Sequence, residues 1–314
     1  MNIVVTDGFT LNPGDLSWKE LESLGTVSYF DRSSPSEIAQ RCREADIIIT
    51  NKTPINKSII DSSPRLKMIA VTATGFNIVD VNAANGKKIV VSNVPEYGTY
   101  SVAQHTFSLL LELSNQVGRH ANSVNDGKWV NAIDWSYSLI PIIELKDKIL
   151  GIVGLGRIGN QTARIAEAFG MKIQFFRGSP NGVNASEVSL ENLFSTSDFI
   201  SLHCPLRPDN EQFINATLLS KMKPSAFLIN TSRGQLVNEQ ELADALNQNV
   251  ISGAALDVLS KEPPLSTNPL LNAKNCIITP HNAWISREAR KRLLDTTIKN
   301  IEAFLIGKPQ NVVK

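Results

Sequence analysis

Residues 148–170 read KILGIVGLGRIGNQTARIAEAFG, and the rest of the chain is read outward from them. Ile149 to Val153 make an apolar run of strand length. A helix-period run follows in which Ile158, Ile165, Ala166 and Phe169 share one face. Between the two, Gly154, Gly156 and Gly159 fit G-x-G-x-x-G where strand turns into helix. The first glycine permits the tight turn, the second lets backbone approach a pyrophosphate, and the third lets helix pack on strand. Exposed N–H groups at the helix start, with the helix dipole behind them, then hold the phosphates. The glycine triplet alone is a weak signal. With a strand before it and a helix after it, it predicts a dinucleotide site.

The composition sets bounds around this anchor. A chain of 314 residues is long enough for two domains, and 42% hydrophobic with 19% charged residues describes a soluble globular protein. A net charge of +1 gives no electrostatic case for nucleic acid or an anionic membrane. Cys42, Cys204 and Cys276 are odd in number, far apart and without metal-ligand spacing, so they read as buried free thiols of a reducing compartment. The start, MNIVVTDGF, has neither the basic flank nor the apolar core of a signal peptide. No apolar run approaches the roughly 18 residues of a membrane span. The expectation is a cytoplasmic protein without a metal site.

Before the anchor, strands and helices alternate. Strands are expected at 3–6, 27–30, 46–50, 66–71 and 89–92. Helices are expected at 15–23, with Leu16, Trp18, Leu21 and Leu24 as its apolar members, after Ser34-Pro35-Ser36, at 57–61 and at 79–85. Such alternation predicts a parallel sheet covered on both faces. From Ser101 to Ser114 the apolar residues Val102, Ala103, Phe107, Leu109, Leu110, Leu111 and Leu113 cover more than one helix face. A helix of that kind is buried between layers or against another chain, which makes 101–120 a candidate inter-domain and dimer helix. Residues 127–143 read as irregular. After the anchor come strands at 172–176, 198–203, 226–230, 251–257 and 276–279, with a capping-box pair Asn238 and Glu241. That gives roughly six strands with crossover helices, the content of a Rossmann domain. A last helix at 286–305 is long enough to return to the first half. The predicted fold class is α/β with two domains, one of residues 1–98 and 286–314 and an inserted one of 99–285.

Three further patterns carry chemistry: Asn230-Thr231-Ser232-Arg233-Gly234, Asp257-Val258 with Glu262-Pro263-Pro264, and Thr279-Pro280-His281-Asn282-Ala283-Trp284. Each follows a predicted strand. In an open parallel sheet the loops beyond the carboxyl strand ends form the ligand crevice, so these patterns are expected to meet at one site.

Together with Asn93–Gln104 (NVPEYGTYSVAQ), Gly154–Gly159 (GLGRIG) and His203–Leu206 (HCPL), these motifs resemble the D-isomer-specific 2-hydroxyacid dehydrogenases over essentially the whole chain. Ala73–Asp80 (ATGFNIVD), NVPEYG and the PIIEL before the coenzyme strand are most similar to the glycerate dehydrogenase and hydroxypyruvate reductase branch. The resemblance implies a flavodoxin-like substrate domain, an inserted Rossmann coenzyme domain, a homodimer joined through the apolar helix, and a nicotinamide cofactor. It implies reduction of a small 2-oxo acid, hydroxypyruvate or glyoxylate first, to the D-2-hydroxy acid.

The residue roles are chemically reasonable in their own right. Arg233 offers a planar fork for a carboxylate. His281 is a proton donor in reduction and a base in oxidation, because imidazole titrates near working pH. Glu262 accepts a hydrogen bond from the other ring nitrogen, which fixes the tautomer and is expected to raise the histidine pKa. By resemblance, the backbone around Thr74, Gly75 and Phe76 completes the carboxylate site and Asp257 holds the nicotinamide carboxamide. Arg157, Ile158, Thr74, Cys204, Thr231 and Trp284 line the cofactor at other positions. His105 and His120 read as packing or surface groups, and His203 as a shaper of the loop beside the cofactor.

One position departs from the family pattern. NAD-using members carry an acidic residue about 20 residues beyond the glycine turn. Here that strand ends Phe176-Arg177-Gly178-Ser179. An acid repels a 2′-phosphate, whereas an arginine with a nearby hydroxyl binds one. Arg177 and Ser179 therefore predict NADP(H) preference. The alternative is that Arg177 stacks on adenine and either cofactor works. Rival activities are a phosphoglycerate dehydrogenase-like enzyme and a nicotinamide-sensing corepressor, while a formate dehydrogenase has glutamine where Glu262 stands.

Overall fold

In the first half of the computed structural model, which describes residues 1–313, the buried-strand runs pair in parallel. β1 (Asn2–Val5), β2 (Thr26–Tyr29), β3 (Ile47–Thr50), β4 (Met68–Val71) and β5 (Val90–Ser92) form one sheet in the order β2-β1-β3-β4-β5. All of β3 and β4 is buried, as strands covered on both faces must be, which is why ADIIIT and LKMIAV carry almost no polar residue. The crossovers are α1 (Lys19–Glu22), α2 (Ile38–Cys42), α3 (Lys57–Asp61) and α4 (Val81–Gly86). The order 2-1-3-4-5 is that of a flavodoxin-like sheet. The helix expected at 15–23 shrinks to one turn. Asn12 holds the backbone N–H groups of Gly14 and Leu16 on its side-chain oxygen and donates to the Leu16 carbonyl, so the chain turns where a helix would have begun.

Thr99–Ala283 form a second compact unit. It opens with α5 (Thr99–Asn115) and α6 (Val117–Asn125), then runs β6 (Ile149–Leu155), α7 (Arg157–Ala168), β7 (Lys172–Gly178), β8 (Ala185–Glu187), α8 (Leu190–Thr196), β9 (Phe199–Leu202), α9 (Ala216–Leu219), β10 (Phe227–Asn230), α10 (Glu239–Asn247), β11 (Gly253–Leu256) and β12 (Cys276–Ile278). Its seven strands, one more than expected, are all parallel in the order β12-β11-β10-β9-β6-β7-β8, the doubly wound Rossmann pattern. The order reverses between β6 and β9, and the ligand crevice of such a sheet lies outside the carboxyl ends there. Phe199 and Phe227 stack at 5.2 Å between centroids beneath this point.

Three expectations need correction here. The helix of 101–120 is two helices: Gln116 takes a left-handed φ of 45° and ends α5. The apolar girth of α5 is buried within its own unit, in a cluster with Leu150, Ile152 and Ala163. On α7 the buried face is Gly159, Asn160, Thr162, Ala163 and Ala166, while Phe169 is exposed. Close helix–strand packing selects small residues, so size and not hydrophobicity marked that face. Asn238 does cap α10 by accepting the N–H of Glu241, but Glu241 turns its carboxylate to the Ala216 N–H instead of closing a capping box.

The chain returns from Trp284 onward to the first unit, where α11 (Arg287–Leu305) is capped by Ser286 and buries Leu293, Leu294, Ile298 and Ile301 against Ile3, Val5 and Met68. Arg290, buried on this helix, donates two hydrogen bonds to Asp15 at 2.6 and 2.7 Å.

Candidate active site

The glycine turn has the shape a dinucleotide requires. Gly154 has φ 96°, and a Cβ there would press on the backbone of His203 and Cys204. Gly159 abuts the Gly154 carbonyl and Ile152, so only hydrogen fits between helix and strand. A Cβ on Gly156 would meet nothing within 4 Å, leaving its backbone open to an approaching phosphate. Arg157 and Ile158 open α7 directly behind it. This chain's residues thus fit a dinucleotide.

β7 ends beside the turn, with Gly178 paired to Leu155. Arg177 is exposed, has φ 59°, and holds its guanidinium 5.2 Å above the Phe176 ring. The Ser179 N–H donates to the Leu155 carbonyl at 3.2 Å. On the other side of β6, the Cys204 carbonyl accepts the Ser232 hydroxyl at 2.5 Å. Burial pushes the Cys204 thiol up, against the opposing pull of Arg207 and Arg177. Arg207 is therefore a second cation near this edge that the motif reading passed over. His203 accepts or donates one bond with the Ser201 hydroxyl at 2.9 Å, and burial pushes its imidazole down to about 4, so it is neutral at pH 7. The Thr231 hydroxyl pairs with Thr106 of α5 at 2.8 Å.

The reacting groups come from three adjacent strands. Register pairs Asn230 with Leu256 and Leu256 with Ile278, so the loops after β10, β11 and β12 leave the sheet side by side. After β10, the Asn230 side chain accepts the Ser232 N–H at 2.9 Å and donates to the Arg233 carbonyl at 2.8 Å, which closes the turn that displays Arg233. Gly234 follows, and any Cβ there would collide with the Leu259 backbone. The absence of a side chain lets the Arg233 turn lie flush on the loop after β11. In that loop Glu262 Oε1 accepts the Leu259 N–H at 3.1 Å, which leaves Oε2 for His281.

His281 follows β12 with a left-handed φ of 51°, unusual for a residue with a side chain. Its Nδ1 is 2.6 Å from Glu262 Oε2, with both side chains about a third exposed. An ionised carboxylate can only accept, so the shared proton belongs to Nδ1, and Nε2 is the nitrogen that can reach a substrate. Asp257 is 1% exposed. Burial pushes its carboxyl up, but His105, Thr279 and the N–H groups of Ala283 and Asn282 outweigh this and hold it below the ordinary value. His105 Nε2 lies 3.1 Å from the Thr279 hydroxyl, whose proton already goes to Asp257 at 2.6 Å, so His105 is the donor. His105, expected to be a packing or surface group, is thus part of the network under the His281 turn. Its signal was a polar residue on a densely apolar helix.

Two groups of expected residues fall in the first unit. Thr74, Gly75 and Phe76 follow β4; Thr74 donates to the Val94 carbonyl at 3.0 Å, its own carbonyl accepts from Asn93 at 2.7 Å, and Phe76 packs on the core. Trp284, expected at the cofactor, lies edge-on to Tyr97 at 6.1 Å in this unit's core. Among the described residues no group of three or more His, Cys, Asp or Glu could hold a metal ion.

The description "D-isomer specific 2-hydroxyacid dehydrogenase, NAD binding domain" matches residues 107–283. The chain belongs to the D-isomer-specific 2-hydroxyacid dehydrogenase family. It is 48% identical to a hydroxypyruvate reductase of Blautia hydrogenotrophica, over 100% of this chain and 99% of that protein. It is 42% identical to a glycerate dehydrogenase of Methylorubrum extorquens, over 95% and 92%. Among solved structures, an acyclic imino acid reductase in complex with NADPH and D-Arg superposes with a TM-score of 0.87 at 35% identity, covering both chains completely. This dehydrogenase is an oxidoreductase of 2-oxo and D-2-hydroxy acids that binds a nicotinamide cofactor. No helix among its described residues is long and apolar enough to cross a membrane.

Proposed function

We propose that this dehydrogenase reduces hydroxypyruvate or glyoxylate to D-glycerate or glycolate, reversibly, with NADPH as the preferred hydride donor. The observation that carries the reading is the 2.6 Å pair of His281 Nδ1 and Glu262 Oε2 on the loop against which the Arg233 turn lies. The cofactor supplies a hydride to the substrate's carbonyl carbon. Arg233 grips the substrate carboxylate with its fork and polarises the ketone. His281 Nε2 gives its proton to the carbonyl oxygen as negative charge develops there. Glu262 supports each protonation state in turn by holding Nδ1–H. Asp257 and Asn282, whose Oδ1 is buried without a partner among the described residues, offer acceptors to a carboxamide.

The coenzyme preference rests on Arg177, exposed where an acid would exclude a 2′-phosphate, with the Ser179 hydroxyl two residues on. A homodimer through the 101–120 stretch is part of the reading, with Val117 as its exposed apolar residue. α5 spends its apolar residues inside its own unit, whereas Val117, Trp129, Val130 and Trp135 beyond it are exposed, Trp135 by 87%. Such a patch marks an interface. The free thiols Cys42, Cys204 and Cys276 suit a cytoplasmic compartment.

The test is initial rates for hydroxypyruvate and glyoxylate, each with NADPH and with NADH. The expected result is turnover of one or both acids with kcat/KM at least tenfold higher for NADPH, about 1.4 kcal/mol. NADH winning rejects the coenzyme preference, and no rate with either acid rejects the reaction.

A further inference from the structure

Residues 178–184 connect β7 to β8, and α7 fastens them at three levels. Asn160 Oδ1 accepts the Asn181 N–H at 2.7 Å, and Asn160 Nδ2 donates to the Ser179 carbonyl at 3.0 Å. One turn further, Arg164 Nη2 donates to the Asn181 carbonyl at 2.6 Å. Beyond that, Glu167 Oε1 accepts the Asn184 N–H at 2.5 Å. Positions 160, 164 and 167 share one stripe of the helix. This stripe is given to holding a loop.

Asn160 is only 6% exposed, and its Nδ2 also donates to the Leu155 and Gly156 carbonyls at 3.1 and 2.9 Å. One buried carboxamide therefore joins the glycine turn to the loop carrying Ser179. The loop needs such support. Arg177 leaves the strand with φ of 59°, a left-handed conformation uncommon for a residue with a side chain, and Gly178 follows at 136°, which glycine takes freely. A free loop would have to be ordered by its ligand at an entropic cost.

We propose that Asn160, Arg164 and Glu167 are positioning residues for the coenzyme's ribose 2′-phosphate. They prefold residues 178–184, so that Arg177 and Ser179 meet the phosphate without first being ordered. The inference rests on the NADP(H) reading above and goes beyond it: discrimination belongs to α7 as well as to Arg177.

The test is calorimetric titration of the full chain with 2′,5′-ADP and with 5′-AMP, which differ only in the 2′-phosphate. The wild type is expected to bind 2′,5′-ADP at least tenfold more tightly. If it binds both alike, the coenzyme reading falls first and this inference with it. Given that preference, Arg164→Met and Glu167→Ala are each expected to weaken 2′,5′-ADP several-fold and 5′-AMP less than twofold, with Asn160→Ala giving the largest loss. Both Arg164 and Glu167 lie outside the core, so those two variants keep the test valid even where Asn160→Ala unfolds. Arg164→Gln, which keeps a donor but not the charge, is expected to retain more discrimination than Arg164→Met. An unchanged ratio in Arg164→Met and Glu167→Ala overturns the proposal. So does a glutamine variant as poor as the methionine one, because Arg164 would then act as a charge on the phosphate.

Discussion

Asp257 holds His281 by the backbone: its carbonyl oxygen accepts the His281 N–H at 2.9 Å. Its carboxylate meanwhile takes the Thr279 hydroxyl and the N–H groups of Asn282 and Ala283. One buried acid thus fixes the residues on either side of the reacting histidine in a left-handed turn that histidine does not favour. An Asp257→Asn change sets an amide donor against these donors, with an expected loss of about 1–3 kcal/mol and a fall in kcat. The acid's folded-state pKa is depressed, so its contribution is present above the ordinary value of about 3.8 and is lost as pH falls through the folded value. Urea unfolding at pH 7, 5 and 3 should show the gap between wild type and variant narrowing only at the lowest pH, which lies below 3.8. A constant gap would reject the ionised role.

His281→Gln and Glu262→Gln separate proton transfer from positioning. Removing the imidazole is expected to lower kcat by about 10²–10⁴-fold, with coenzyme binding retained. Removing the Glu262 charge keeps a hydrogen-bond acceptor for Nδ1–H and should cost less. Single-turnover hydride transfer and coenzyme titration on both variants check this, and a fully active His281→Gln enzyme would remove the assignment.

Gly234→Ala tests the contact that brings Arg233 to the Glu262 loop. A methyl group there meets the Leu259 backbone, which cannot rotate away as a side chain could. The expected cost is about 1–3 kcal/mol of stability, with a raised KM for the 2-oxo acid because the Arg233 fork is displaced. Denaturant melts and steady-state rates measure the two effects; unchanged values in both would mean that the loops separate freely.

His203 carries a pH signature of the same sign as Asp257, in a higher window. Burial pushes its imidazole down to about 4, whereas an unfolded histidine titrates near 6.5. The unfolded chain therefore binds more protons between these values, and His203 removes stability as pH falls from about 6.5 towards 4. A His203→Asn variant, which keeps a polar partner for Ser201, should lose less stability across this window. Parallel slopes of unfolding free energy against pH would count against the buried neutral imidazole.

Arg233, Glu262 and His281 stood in local patterns, whereas His105 did not. Asn230–Gly234, Glu262 and His281 stand after apolar strand runs, and turn chemistry constrains residue type over a few positions. The elements missed are those whose pattern is not apolar periodicity. β8 is three residues of edge strand, ASE, held by backbone pairing with β7. The small-residue face of α7 is apolar by size alone, and Asn160 on it looks like an ordinary solvated residue until the loop it holds is seen. The apolar density of α5 was visible, but not what covers it.

Composition, strand–helix alternation and the glycine triplet, all local or short-range, determined by themselves that this chain builds parallel sheets with a dinucleotide turn. Arg177 in place of an acid was equally plain from one position. That the three loops meet was expected from the strand pattern; only the tertiary structure decided that they leave three neighbouring strands side by side, because strand order depends on contacts between distant residues. It alone decided which oxygen of Glu262 meets His281, that Asp257 spends three acceptor positions on the neighbouring turn, and that α7 ties down the loop beyond β7. Those choices depend on distances of a few tenths of an ångström between residues separated by 17 or more positions, which no local pattern encodes.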